Sequence, residues 1–214
     1  MFPILFFTAV AFFLYGRPLF EYRYDTWYAF LTMIAVSVMG MRIVSGSLLI
    51  LPTLLVFSVI FYLISGIKDY LFVKRARLYF VSILIIFYSI FIIFFLADKS
   101  EFFFLKYVAL VFASFLLFKE WLAIIPSFHF PKRELISAAA ASFIITQLVW
   151  VVALLPIGFI NASNFMLLLV FILSDLLFKH FMGGLSKEVL IQHFAFFLVL
   201  SAIIFWTSQW SLII

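Results

Sequence analysis

The sequence predicts an all-α integral membrane protein, a single polytopic bundle of about eight transmembrane helices over residues 1–214. The first observation is composition, with 68% of residues hydrophobic and only 11% charged. A soluble domain has about half its residues apolar and about a quarter charged, and a chain this poor in polar residues could not cover a water-exposed surface. The second observation is that the apolar runs are continuous, whereas a membrane β-barrel alternates apolar and polar residues.

The predicted spans follow from length, because a helix needs about 20 apolar residues to cross a hydrocarbon core of about 30 Å. Eight runs approach this requirement, and they are numbered one to eight along the chain. The first run is the shortest, and if it lies flat in the interface the bundle has seven spans. The eight predicted spans cover residues 2–15, 26–41, 47–67, 78–97, 102–118, 135–155, 162–178 and 189–207.

The positive charges predict the orientation. Eleven of the 14 Lys and Arg residues fall in the odd-numbered connections between spans, and two, Arg42 and Lys99, fall in the even-numbered connections. Because basic residues are retained on the cytoplasmic side, we expect odd-numbered connections in the cytoplasm and both termini outside. The remaining basic residue, Lys106, lies inside the fifth span, where its long stem can reach the interface. The net charge of +5 is therefore explained by orientation, and no nucleic-acid partner is expected.

The longest connection, residues 119–134, is too short for a folded domain. Its middle is apolar and aromatic, and Pro126 and Pro131 interrupt it. We expect residues 121–131 to lie in the interface with Trp121 at headgroup level, or to form a re-entrant loop.

A candidate polar cluster lies at the turn between spans seven and eight. Asp175 is about one turn inside the seventh span, and Lys179 follows at i+4, where it can share a helix face with Asp175. Counting outward from the turn, an antiparallel hairpin brings Asp175 to the depth of His193, near Gln192 and Glu188. Such a cluster can hold a proton or bind a cationic group, or it can be a polar contact that fixes the hairpin.

Two further features concern the sixth span. Gln147 lies near its middle, where an unpaired amide is costly, so its partner is expected on another helix, a neighbouring protein or a ligand.

The sixth span also contains three small residues spaced by four, Ala138, Ser142 and Thr146. This spacing lets helix backbones approach closely. This spacing is typical of packing inside a bundle, and the alternative is a dimer interface.

Motifs for catalysis, cofactors and metals are missing. The chain has no cysteine, its three histidines show no metal-ligand spacing, and no catalytic, cofactor-binding or metal-ligating residue is predicted. The Asp175-x-x-x-Lys179 spacing resembles the retinal-binding residues of microbial rhodopsins. Here, however, Lys179 is at a helix end, another span follows, and no earlier span offers a buried carboxylate, so retinal is not expected.

The last third of the chain contains LVWVVALLPIGFINAS, SDLLFKHFMGGLSKEVLIQH and TSQW. In hydrophobic pattern and in a few landmark residues it resembles small polytopic membrane proteins of reduced-genome bacteria that have no known function. The resemblance implies a multi-pass fold and no activity. Its landmarks are Pro156, Asp175, Gly184, Leu185 and Trp210.

These features together predict a non-enzymatic subunit or assembly factor of a complex in the cytoplasmic membrane. Its partners would be the lipid bilayer and a membrane protein or a second copy of the chain. The alternative is a small-molecule or lipid transporter, and an intramembrane enzyme ranks third. The alternatives differ in one structural requirement: a transporter or enzyme needs Asp175, His193 and Gln147 to face a shared cavity, whereas a scaffold lets them form closed contacts.

Overall fold

The computed structural model describes residues 6, 8–10, 13, 27–43, 76–96, 103–123 and 131–208. Every regular element in these ranges is helical. Residues 6, 8–10 and 13 are helical too, and six longer helices correspond to predicted spans two and four to eight. They are α1 (Trp27–Ile43), α2 (Ala76–Leu96), α3 (Phe103–Ala123), α4 (Pro131–Ala153), α5 (Phe159–Phe181) and α6 (Lys187–Thr207).

The predicted all-helical class is confirmed, together with four helices that are long and apolar enough to cross a membrane. These are α2, α4, α5 and α6, and α1 is a shorter apolar helix. Helix α3 is as long as α2, but it carries three charged residues, Lys106, Lys119 and Glu120. The total of eight spans stays a prediction, since span three and most of span one lie outside the described residues.

The chain divides into two compact units, residues 1–86 and 87–214, and the boundary falls within α2. In the first unit, Phe30 and Met33 of α1 and Tyr79 of α2 are fully buried. In the second unit, α3 packs against α4, α4 against α5, and α5 against α6. The second unit contains every candidate site residue.

The connection between α3 and α4 is shorter than the sequence suggested. Helix α3 continues to Ala123, so Glu120 and Trp121 are helical, and both are buried. The Trp121 ring packs against Phe178 of α5, with 6.3 Å between ring centroids. Trp121 therefore belongs to α3 and not to the connection, while its predicted position at headgroup level stays a prediction. Helix α4 begins at Pro131, where the missing N–H of proline is harmless because first-turn N–H groups have no partner within the helix. Residues 124–130 lie outside the described ranges.

The turn between α4 and α5 is set by Pro156, which has no N–H to continue a helix. Helix α4 ends at Ala153, and the next two amides close tight turns: Leu154 N donates to Val151 O at 3.1 Å and Leu155 N to Val152 O at 3.0 Å. Gly158 then caps α5, with its carbonyl accepting from Ala162 N at 2.9 Å.

The turn between α5 and α6 has a specific stop signal and a specific start signal. Gly183 adopts φ +71°, and its N–H donates to His180 O at 3.2 Å, while Gly184 N donates to Lys179 O at 2.9 Å. This pair of bonds is the Schellman motif, which requires a left-handed residue and so favours glycine. Ser186 then caps α6 by accepting from Val189 N at 3.3 Å.

Several hydroxyl groups inside these helices are satisfied locally. Thr32 donates to the carbonyl oxygen of Tyr28, Ser37 to that of Met33 and Thr146 to that of Ser142, in each case four residues earlier. A serine or threonine bonded in this way needs no partner from another helix. Apolar helices can therefore contain these residues without opening a polar path.

Helices α5 and α6 are joined mainly by aromatic rings. Phe165 lies 5.8 Å from Phe197 and 5.4 Å from Phe205, and Phe171 lies 6.4 Å from Phe196, all between ring centroids. Ser201 is the only buried residue between Lys187 and Thr207. From Phe194 to Trp206, Ser201 is the only polar residue of α6, so in a bilayer most of the surface of this part faces lipid.

Candidate functional site

The hairpin geometry brings Asp175 and His193 to the same depth. Asp175 lies six residues before Phe181, the end of α5, and His193 lies six residues after Lys187, the start of α6. At 1.5 Å per residue, each is about 9 Å from its helix end. Because the turn at Gly183 has a fixed length, it places Asp175 and His193 at the same depth.

Three of the predicted cluster residues meet in one contact. His193 Nε2 lies 2.5 Å from Asp175 Oδ2, and Lys179 Nζ lies 2.8 Å from the same oxygen. The His193 side chain is 12% exposed, against 30% for Asp175 and 34% for Lys179. A single carboxylate oxygen therefore holds one group from its own helix and one from the neighbouring helix.

Both ring nitrogens of His193 contact an oxygen atom. Nδ1 lies 2.7 Å from the carbonyl oxygen of Val189, one turn earlier on α6, and Nε2 faces Asp175 on α5. A carbonyl oxygen can only accept, so Nδ1 is the donor in a bond to Val189. The imidazole ring is therefore held between its own helix and the neighbouring helix.

The other two cluster residues do not join this contact. Glu188 and Gln192 are both exposed on α6, and neither side chain bonds to any residue in the described part of the chain. Glu188 lies in the first turn of α6, where a negative charge favourably opposes the positive end of the helix dipole. The site that the structure brings together is Asp175, Lys179 and His193.

Gln147 lies on the outside of the second unit. It is exposed on α4, on one surface with Phe143, Trp150 and Val151, which are also exposed. The apolar segment Lys132–Ala153 places it about 7 Å from the middle of the helix. No side chain or backbone group in the described ranges hydrogen-bonds its amide.

The small residues of α4 face the interior. Ala138 and Ser142 are buried and Thr146 is half-buried. Ser142 Oγ donates to the carbonyl oxygen of Val111 on α3 at 2.7 Å. The α3–α4 contact is the most extensive between helices in the described residues. In this structure the small-residue surface packs inside the chain, and a dimer interface there stays untested.

A cavity of about 230 Å³ lies where α2 and α4 end and where α3 and α5 begin. Its walls are mainly aromatic and aliphatic, and Lys106 and Tyr107 of α3 contribute polar groups. Asp175, His193 and Gln147 do not line this cavity. The sequence indicated Lys106 as an unusual charge in a span, but the convergence of four helix ends around it depends on packing.

Metal binding has no support in the described ranges, because no three His, Asp or Glu residues there are close enough to hold an ion. Comparisons of the chain with protein-family models, curated proteins and solved structures found no match.

Proposed function

We propose that this chain is a non-enzymatic subunit or assembly factor of a membrane complex, acting through helix–helix contacts within the bilayer. The observation that carries the proposal is the exposed amide of Gln147 on α4. An exposed glutamine at this depth faces hydrocarbon when α4 spans a membrane. The amide then needs a hydrogen-bonding partner from outside the described part of the chain.

The energetics favour another transmembrane helix as that partner. An amide without a hydrogen bond in an apolar medium costs about 2–7 kcal/mol, and the bilayer core offers no water to relieve it. A polar side chain at the same depth on a neighbouring helix supplies the missing bond. Because glutamine both donates and accepts, a second copy related by a two-fold axis can also pair with it.

The surface around Gln147 suits such a contact. Phe143 and Ile144 are exposed one turn before it, and Trp150 and Val151 one turn after it. Apolar side chains flanking a single polar group let a partner helix pack closely and fix its register through that group. The proposed contact surface is the exposed face of α4 formed by Phe143, Ile144, Gln147, Trp150 and Val151.

The closed geometry of the Asp175 cluster argues against transport. A transporter needs its polar residues to face a path, whereas Lys179 and His193 both bond to the Asp175 carboxylate. The observation that favours the alternative, a small-molecule or lipid transporter, is the presence of these ionisable groups inside two helices of spanning length. An intramembrane enzyme ranks third, because among the described residues no nucleophile and no second carboxylate contacts the cluster.

The proposal includes the topology predicted from the sequence. The chain crosses the cytoplasmic membrane about eight times, with odd-numbered connections in the cytoplasm and both termini outside. The support is the distribution of Lys and Arg, together with four helices of spanning length and composition.

The deciding experiment is mass spectrometry of the protein purified gently in mild detergent or nanodiscs. We expect a stoichiometric protein partner, either a different membrane protein or a second copy. Gln147→Leu should weaken this association about fivefold, since one hydrogen bond between membrane helices contributes about 1 kcal/mol. Gln192→Leu is the matched control, because it makes the same chemical change at an exposed glutamine of α6 and should leave the association unchanged.

Cysteine cross-linking locates the contact, since the chain has no native cysteine. Phe143→Cys and Val151→Cys, one turn on either side of Gln147, should cross-link in native membranes to the same partner. Val199→Cys on the exposed surface of α6 is the control for random collision and should give only background. With a mild oxidant, two introduced cysteines form a disulfide-linked dimer that identifies a second copy. With a photoactivatable cross-linker attached to the cysteine thiol, a product of another mass identifies a different subunit.

The proposal fails if the purified protein is a monomer and the α4 cysteines cross-link no better than Val199→Cys. A retained small molecule or lipid that is lost on Asp175→Asn would instead support the transporter. These outcomes separate the two functions, because they depend on different helices.

A further inference from the structure

The exposed surface of α4 and of Leu154, which directly follows it, has a regular spacing. Its central side chains are separated alternately by four and by three residues, and all are exposed. At about 100° per residue they project within an arc of about 80°. This is the heptad spacing of helices that pair in a left-handed coiled coil. These residues form the α4 seam: Ile136, Ala140, Phe143, Gln147, Trp150 and Leu154.

The α4 seam lies on the opposite side of the helix from the residues that pack inside the second unit. Ala138, Ala141, Ile145 and Val149 are buried, and their mean direction is about 180° from the middle of the seam. The seam is also separate from Ser142, which bonds to α3. Helix α4 can therefore keep its place in the second unit and pair with a further helix through the seam at the same time.

Gln147 gives the α4 seam a specific register. It is the only amide in the seam, no charged residue belongs to the seam, and the Gln147 side chain has no hydrogen bond to the described residues. One polar residue in an otherwise apolar heptad pattern fixes the register of paired helices, because any other register leaves the polar group unpaired. Two identical seams can also meet without bringing like charges together.

Membrane insertion favours a second copy of the chain as the occupant. In the proposed topology every copy is inserted in the same orientation, so a two-fold axis that relates two copies runs along the membrane normal. The two α4 helices are then parallel, and each seam residue lies at the depth of its counterpart. Gln147 of one copy meets Gln147 of the other, and each amide can donate to the other's carbonyl oxygen. A different protein would need its own polar residue at this depth.

We propose that the occupant of the α4 contact surface is a second copy of this chain, paired through the α4 seam in a parallel, left-handed dimer with the two Gln147 amides bonded to each other. The inference rests on the proposed function and names the partner for it. Lys132 and Arg133 are exposed beyond Ile136, at the end of the span, where water and salt weaken the repulsion between like charges.

Copurification tests whether the partner is a second copy. Two copies with different affinity tags are expressed in one cell and purified in mild detergent through one tag. We expect the other tag in the product, and Gln147→Leu in both copies should raise the dissociation constant of the dimer about fivefold. A stoichiometric partner of another sequence, with the other tag absent, overturns this inference and leaves the proposed function in place. Absence of any partner overturns both.

Disulfide formation under a mild oxidant in native membranes tests the seam. Helix axes about 8–10 Å apart leave about 5 Å between facing Cα atoms, which a disulfide can span. The chain has no native cysteine, so Ala140→Cys should give a linked dimer that contains both tags. Ala195→Cys is the matched control, because Ala195 is an exposed alanine at a similar distance from the start of α6. It should give only background.

A mixed pair of variants tests the parallel arrangement. One tagged copy carries Ala140→Cys and the other carries Leu154→Cys, about 21 Å further along the helix direction. A parallel dimer cannot link these two positions, whereas an antiparallel dimer centred on Gln147 brings them together. We expect only products in which each cysteine is linked to the same position of another copy. The inference is overturned if the mixed product predominates, or if Ala140→Cys links no more than Ala195→Cys.

Discussion

The two helical hairpins of the second unit hold together in different ways. In the α3–α4 hairpin, small residues let the backbones approach, and the hydroxyl of Ser142 reaches the carbonyl oxygen of Val111. In the α5–α6 hairpin, large aromatic rings separate the helices, and the ionic cluster of Asp175, Lys179 and His193 provides the polar contact. The first hairpin depends on close packing and the second on a specific set of charges.

This difference shows two solutions to one physical problem. Inside a membrane the lipid tails are as apolar as the side chains, so helices gain little by burying apolar surface against each other. Helices must associate through closer packing or through polar groups. A substitution that adds volume should therefore damage the α3–α4 hairpin, while one that removes charge should damage the α5–α6 hairpin.

The largest effect is expected from Ser142→Leu in the α3–α4 hairpin. Ser142 is fully buried, and a leucine there must push α3 and α4 apart, which should destabilise the protein by about 3 kcal/mol. Unfolding in mixed micelles with increasing SDS measures the change in free energy. Ser142→Ala removes only the hydrogen bond and should cost about 0.6 kcal/mol. Equal losses for the two variants would show that the hydrogen bond, and not close packing, dominates this hairpin.

Asp175→Asn should have the next largest effect. It leaves Lys179 and His193 without a carboxylate in a half-buried site. We therefore expect the free energy of unfolding to fall by about 2 kcal/mol, a value between those typical of exposed and of buried ion pairs. Glu188→Gln makes the same chemical change at an exposed position of α6 and should stay within about 0.5 kcal/mol of wild type.

A double-mutant cycle with His193→Gln then isolates the contact between the helices. A coupling energy of about 1 kcal/mol or more is expected if the Asp175–His193 bond joins α5 to α6. Additive losses would contradict that role and leave Lys179 as the only energetic partner of Asp175.

The smallest effect is expected from Gly183→Ala, in the turn that places Asp175 and His193 at the same depth. Gly183→Ala places a side chain at φ +71°, with no atom within 4 Å of the new Cβ, so only backbone strain of about 1 kcal/mol is added. Gly184→Ala, whose Cβ would lie 3.9 Å from Lys179 O, makes ordinary contact and is the control. Equal stability of the two variants would mean that the left-handed conformation does not determine this turn.

The sequence predicted how far along a helix each residue lies better than it predicted which way its side chain points. Counting residues from the turn placed Asp175 and His193 at one level, because the rise along a helix is fixed. Counting did not reveal that Glu188 and Gln192 are exposed, since the rotation of α6 about its axis depends on its packing against α5. Gln147 shows the same limit: its position along α4 followed from the sequence, but its exposed orientation did not.

The hydrogen bond of Ser142 and the end of α3 were also not predicted from the sequence. The acceptor for Ser142 is a backbone carbonyl, which every residue possesses, so no residue type marks it. The extension of α3 to Ala123 did have a signal, because Pro126 is the first helix-breaking residue after Lys119. The charges of Lys119 and Glu120 instead suggested an interfacial connection, yet Glu120 is buried in the final turns of α3.

The two partners of Asp175 become available at different stages of biosynthesis. Lys179 belongs to the same helix as Asp175, four residues later, whereas His193 follows only after the turn. Because the chain is made from its N-terminus, the carboxylate has Lys179 beside it before His193 is made. The ion pair inside α5 can therefore form without α6, and the contact with His193 can form only afterwards. In the proposed topology, α5 would enter the membrane with its two charges already paired.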